Sequence, residues 1–281
     1  ARRNGLDGEE GGGVGVVFDG DIELGEQALD LLGEPRTKRA LGPYTLHTDV
    51  EDPTLIASLE RAVVGLDRVY GERYGREPLG TPAESVVLYA REGSYRILQQ
   101  RSSHLHGLAA TGHTGPGLVY FFAGRRKRHE IRSTFVHELG HVLNRRAVGP
   151  ALPPWLDEGL ADDLANGAWR DGRLDPSELG GLRLDWGGHQ TFEGGWSALL
   201  NLESAIEDGS LPKLERLLAY DWQRFVGSDS RLHYDVASFF VRFLLADGVE
   251  GGSRAFRAFL DDVAGVDGVA DAVGSVGGVA Q

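Results

Sequence analysis

One stretch constrains this chain more than any other: Thr134-Phe-Val-His-Glu-Leu-Gly-His-Val-Leu143. Phe135, Val136, Leu139, Val142 and Leu143 give it the apolar content of a helix buried on most sides. Residues four apart on a helix stack one turn above the other. His137 and His141 therefore aim two imidazoles at one point, where a Zn²⁺ can take a nitrogen from each at about 2.0–2.1 Å. Glu138, one step around, can reach a water at such a metal without ligating it, which is where a general base belongs. Gly140 weakens a helix interior by roughly 1 kcal/mol against alanine. Its presence predicts that another backbone, or the floor of the site, passes close by.

A catalytic zinc needs three protein ligands and an open position, and two histidines with a glutamate are one of the standard sets. After a Pro-Pro break the chain reads Pro154-Trp-Leu-Asp-Glu-Gly-Leu-Ala-Asp-Asp-Leu164, which puts Glu158 seventeen residues beyond His141. HELGH followed by WLDEGLA resembles the gluzincin zinc peptidases, the peptidase MA-like superfamily, and most nearly its bacterial domains of unassigned substrate. In that family the glutamate of the WL-x-EG-x-A helix is the third ligand, so the resemblance implies one Zn²⁺ per chain on His137, His141 and Glu158. It spans roughly residues 40–262 and is specific at these two motifs.

The resemblance also implies a thermolysin-like α+β fold. An N-terminal α/β subdomain with a mixed sheet would end in the HExxH helix, a C-terminal all-helical subdomain would carry the third ligand, and the metal would lie in the cleft between them. The implied activity is peptide-bond hydrolysis on a peptide or protein substrate, in a secreted or envelope-attached bacterial protein. Gluzincin aminopeptidases carry a Gly-x-Met-Glu-Asn motif whose glutamate holds the substrate amine. This chain has no methionine, which favours endopeptidase over aminopeptidase action. A catalytically silent binding or scaffold module is the competing reading, and an intact Glu138 argues against it.

Composition narrows the partners. A net charge of −13 argues against nucleic acid or an anionic membrane as the main partner. No apolar run approaches the roughly 18 residues of a spanning helix. The absence of cysteine excludes a disulfide framework, a thiolate metal site and a cysteine nucleophile. The first residue is Ala1, and the expectation is a trimmed piece whose leader would lie upstream.

Along the chain, residues 1–35 read as a flexible lead with a possible strand over 14–18 and a possible helix over 21–33. Residues 36–150 form the α/β part, with strands at 36–41 and 44–49. A helix follows from the Asp52-Pro53 start, with Asp as N-cap and Pro at the first position, to about Tyr74. A buried strand at 85–90, a short helix at 94–100 and a strand at 117–123 complete it. In 151–263 the pattern predicts helices at 155–166, 196–206, 211–220, 232–245 and 254–263. Residues 170–188 read as a loop, possibly with a short ribbon, and 264–281 as a Gly-rich tail.

Supporting residues complete the expected site. Ligating histidines usually give their second ring N–H to a carboxylate or carbonyl. Asp162, one turn beyond Glu158, and Asp157, beside it, are candidates, against the alternative that Asp157, Asp162 and Asp163 merely solvate a helix face. The segment 231–245 resembles a family helix that begins with a tyrosine near the metal. Tyr234 is thus the candidate oxyanion donor, with His233 as its alternate and a core aromatic as the structural alternative. Gly117, Leu118, Val119 and Tyr120 form either a substrate-pairing edge strand or an interior one. The basic run 125–129 is a solvated helix start or an anion contact. His47, His104, His106, His113, His129 and His189 show no ligand spacing.

Overall fold

The computed structural model describes residues 19–82, 84–101, 110–115, 117–170, 173–180, 182–184, 190–192, 195–246 and 251–265. The expected strand at 14–18, most of the tail, and His104, His106 and His189 lie outside them. Within them the protein is mixed α+β, with a five-stranded mixed sheet and eleven helices.

Helix α1 (Asp19–Asp30) precedes strands β1 (Thr37–Leu41) and β2 (Tyr44–Thr48), an antiparallel hairpin turning at Gly42 with φ 59°. Helices α2 (Pro53–Val63) and α3 (Leu66–Tyr74) cross over to β3 (Ser85–Tyr89), which is parallel to β2. Helix α4 (Glu92–Arg101) leads to β4 (Gly112–Gly115) and β5 (Leu118–Phe122), and the sheet order is β1-β2-β3-β5-β4. The period-2 alternation of a strand then sorts the side chains. Val86, Leu88, Val119 and Phe121 join the main core, whereas Val87, Tyr89, Leu118, Tyr120 and Phe122 pack with Tyr95 and Leu98 of α4 and Ala28 of α1.

Three expectations for this half are corrected. The helix from Asp52 does not run unbroken to Tyr74. Asp52 caps α2 through Thr54 and Leu55 N–H, but the chain leaves the helix at Val64 and restarts after Gly65, whose φ of 76° suits glycine. The lead is not loose throughout. The Tyr89 hydroxyl donates to Ala28 O at 2.7 Å and Asp49 accepts from Gly33 N at 2.8 Å, which ties α1 and its exit to the sheet. The segment 117–120 is not an edge. Leu118, Val119 and Tyr120 lie in β5 between β3 and β4, all buried, and Gly117 with φ 71° sits just before them. Among the described residues the sheet ends on this side at β4, which pairs with β5 alone.

Helix α5 (Arg128–Ala147) carries HELGH, and α6 (Pro154–Ala165) carries WLDEGLA. The C-terminal half is not all helical. Strands β6 (Gly167–Arg170) and β7 (Arg173–Leu179) form an antiparallel ribbon, and β8 (Leu182–Leu184) pairs with β9 (Gln190–Phe192). Buried Leu174 and the Arg132 guanidinium over the Trp169 ring at 4.2 Å fasten the first ribbon. Then follow α7 (Gly195–Asp208), α8 (Leu214–Leu218), α9 (Trp222–Phe225), α10 (Ser230–Leu244) and α11 (Gly252–Gly265). Helix α8 is shorter than the expected 211–220 because Pro212 lies ahead of its start. Among the described residues no helix is long and apolar enough to cross a membrane.

Helix α6 lies between α5 and α10, and glycines set both contacts. A Cβ on Gly140 would sit 2.7 Å from Ala161 Cα, and one on Gly159 would sit 2.9 Å from Ala237 O. The close backbone predicted at Gly140 is thus α6 itself. Asp163 does not solvate a helix face. It is fully buried, bonded to Arg73 at 2.8 and 3.0 Å and to the Tyr74 hydroxyl at 2.9 Å, with Arg242 2.9 Å away. Those groups lock α3, α6 and α10 together.

Candidate metal centre

The start of α5 is fixed by the Glu130 carboxylate, which accepts from Lys127 N at 2.9 Å. The basic run beside it serves the fold at two positions. Arg128 pairs with Asp52, and Arg126 donates to Glu130 O and lies over the Phe122 ring. Two turns further on, His137 Nε2 and His141 Nε2 stand 3.2 Å apart. Because Gly140 lets α6 close in, Glu158 Oε2 reaches to 3.2 Å from the first nitrogen and 3.5 Å from the second. A tetrahedral centre with bonds of about 2.0–2.1 Å has edges of roughly 3.3–3.4 Å. The three observed edges match that spacing.

Among the described residues Glu158 Oε2 is also buried with no aligned hydrogen-bond partner, an uncommon state for a carboxylate oxygen. A cation between it and the two imidazoles would satisfy it. The cluster is therefore a three-ligand group able to hold a metal ion.

The outer nitrogens of the rings are served by carboxylates from α6. Asp162 Oδ1 lies 2.8 Å from His137 Nδ1, a hydrogen bond that sets the tautomer. Asp157 Oδ2 lies 3.0 Å from His141 Nδ1 but out of line for a hydrogen bond, so that contact is chiefly electrostatic. Burial opposes protonation of both rings, yet the carboxylates outweigh it. Asp157 and Glu158 hold His141 up to about 10, and Asp162 and Glu158 hold His137 well above the usual imidazole range. Burial likewise opposes ionisation of Glu158, but His141 and His137 keep its carboxyl well below the ordinary range. Without a metal the cluster is an ion-paired knot, and a divalent cation would replace its protons.

Glu138, 5% exposed, projects from the same helix toward β4. The Thr114 hydroxyl lies 2.8 Å from its Oε2 and 2.9 Å from its main-chain oxygen. A Cβ on Gly112 would sit 2.7 Å from Oε1. The edge strand thus grips the carboxylate, and a side chain at 112 would have to push Glu138 and Thr134 aside. Burial raises the Glu138 carboxyl above its usual value against the pull of both imidazoles. Gly112 and Thr114 were not legible as site residues, because a four-residue strand of glycine and polar side chains looks like a loop.

Tyr234, at the start of α10, donates to Glu158 Oε1 at 3.2 Å, and its ring centroid is 6.4 Å from that of His137. Burial, then the Glu158 carboxylate, push the phenol far up, so it stays a neutral donor. His233 is not an alternative to it. Its Nδ1 is engaged with Phe225 O at 2.8 Å, and its ring packs against Tyr220 and Phe225. Successive helical residues point about 100° apart, and here Tyr234 faces the cluster while His233 turns toward Phe225 and Tyr220.

His113 is less ordinary than its spacing suggested. Its ring stacks on Tyr95, and its Nε2 lies 3.3 Å from Gln99 Nε2. Arg96 binds the Gln99 oxygen at 2.9 Å, which turns the amide nitrogen toward the ring. Burial pushes His113 down to about 4 from 6.5, so an unprotonated nitrogen accepts that bond. A depressed folded value contributes stability that is complete above the unfolded value and lost as pH falls toward the folded one. Stability of the metal-free protein should thus decline between about pH 6.5 and 4. His113→Gln should decline less across that window in denaturant titrations. Parallel slopes for the two proteins would remove His113 from the effect.

No protein-family model matches the chain, and no curated protein matches it.

Proposed function

We propose that this chain is a zinc-dependent peptide hydrolase with a gluzincin-type, thermolysin-like arrangement, acting as an endopeptidase. The observation that carries the reading is the convergence of His137 Nε2, His141 Nε2 and Glu158 Oε2, with Glu138 one residue from the first ligand. Two nitrogens and a carboxylate oxygen form a donor set suited to zinc. Zinc bound there would supply Lewis acidity, lowering the pKa of water and polarising a scissile carbonyl.

The remaining work falls to the protein. Glu138 takes a proton from the attacking water and returns it to the leaving amine. Thr114 holds one carboxylate oxygen, which leaves the second free for that exchange. The neutral Tyr234 hydroxyl, which otherwise donates to Glu158 Oε1, would turn its one proton to the oxygen that gains charge as the carbonyl is attacked. The outer side of β4, the last strand of that side of the sheet among the described residues, would offer main-chain groups to an extended peptide. Absence of the Met-containing amine-binding motif supports internal cleavage over removal of single N-terminal residues.

The direct test incubates the protein with a diverse peptide library, with and without a chelator, and reads new termini by mass spectrometry. Chelator-sensitive cuts within peptides are expected, and no cleavage in the zinc-loaded sample would defeat the proposal. Tyr234→Phe should keep its zinc and its KM, while kcat falls about 10²–10³-fold, the scale of losing one oxyanion donor. A tyrosine that served only packing would instead lower the melting temperature and leave kcat alone.

A further inference from the structure

A buried polar chain leads away from His141 to a helix that carries no ligand. Asp157 Oδ2 faces His141 Nδ1 at 3.0 Å. The other oxygen of that carboxylate accepts from Asn144 Nδ2 at 2.7 Å, and the same amide nitrogen holds Asp157 O at 2.9 Å. Asn144 Oδ1 in turn accepts from the Tyr70 hydroxyl at 2.8 Å. Asn144 and Tyr70 are both fully buried. Tyr70 belongs to α3, Asn144 to α5 and Asp157 to α6.

We infer that Tyr70 and Asn144 are positioning residues for the metal centre, acting through Asp157 on His141. A carboxylate can rotate about its last bond, and the Asn144 amide stops that rotation by taking one oxygen and the backbone carbonyl together. The second oxygen is then held toward the imidazole. An asparagine amide could itself flip and present its oxygen to Asp157, which would repel it. The Tyr70 hydroxyl works against this by donating to the amide oxygen, a bond the flipped amide would lose. Outer partners of a ligating histidine fix its orientation and raise its basicity, and this chain carries that control back to α3.

Tyr74 provides an internal control. It lies one turn along α3, is equally buried, and has its ring centroid 4.7 Å from that of Tyr70. Its hydroxyl bonds to Asp163 and Leu160 O on α6 and touches neither a ligand nor a ligand's partner. Loss of either hydroxyl should weaken the fold, but only loss of the Tyr70 hydroxyl should weaken metal binding.

The inference rests on the metal reading above and not on hydrolysis, so binding is the measurement. The metal-free full chain is titrated with Zn²⁺ against a chromophoric chelator, and its thermal unfolding is followed in parallel. Asn144→Leu should weaken zinc about 10–100-fold, the range for outer partners of a ligand, and Tyr70→Phe by a smaller factor in the same direction. Tyr74→Phe should lower the melting temperature and leave zinc affinity unchanged. Should Asn144→Leu fail to fold, Tyr70→Phe against Tyr74→Phe decides alone. Wild-type protein that takes up no zinc would overturn the metal centre and this inference together. Wild-type binding with unchanged affinity in Tyr70→Phe, or an equal loss in Tyr74→Phe, would overturn the positioning role and leave the centre standing.

Discussion

Glu138→Gln is expected to retain one zinc per chain and to lose the proposed peptide hydrolysis by about 10²–10⁴-fold, the contribution of a positioned general base. The amide has nearly the shape of the carboxylate, so the Thr114 hydroxyl can still bond to its oxygen and the fit beneath Gly112 survives. What it lacks is basicity, because a neutral amide cannot accept the proton of the attacking water. Metal content by elemental analysis and turnover on a cleaved library peptide are the two readouts. Unchanged turnover with unchanged zinc would show that another group supplies the base, and the proposed mechanism would be wrong.

His137→Ala or His141→Ala should remove the metal altogether, taking the content from the proposed one zinc per chain to almost none. Each substitution deletes one nitrogen of the pair 3.2 Å apart and leaves at most two protein ligands, too few for the three-ligand set of a catalytic zinc. The fold should survive, because the main core runs through Phe135, Leu139, Leu143, Leu156 and Leu160 and does not depend on the imidazoles. Circular dichroism should therefore be near wild type while metal content collapses. Zinc retained at full stoichiometry in both variants would move the metal elsewhere. Collapse of the fold on chelation of the wild type would point to a structural ion. Glu158→Gln should be milder, weakening affinity while both nitrogens remain.

Periodicity and short-range chemistry made much of this legible from residue order. Spacing of four put His137 and His141 on one helical face, a geometry that any helix enforces. Asp52-Pro53 marked the start of α2, and Gly140 marked a close backbone before its identity was known. The misreadings came where the local pattern is weak. Gly112–Gly115 carries no apolar alternation and does not read as a strand, so the edge reading falls on the apolar β5 as one of two open alternatives. The ribbon of β6 and β7 is legible only as a possible short ribbon within a loop, because its stability comes from buried Leu174 and the Arg132–Trp169 stack, which join distant parts of the chain.

Residue order by itself placed His137, His141 and Glu138 together on one helix, because helix geometry is a local property, whereas Glu158 is named by the resemblance and reaches them only through the packing of α6 on α5. Tertiary structure alone decided which groups hold those residues in place. Thr114 on Glu138, Asn144 on Asp157 and Tyr70 on Asn144 are separated by 24, 13 and 74 positions. No periodicity links such distances. The pairings exist because a sheet edge, α3 and α6 pack around α5 closely enough that each buried polar group must find its partner there.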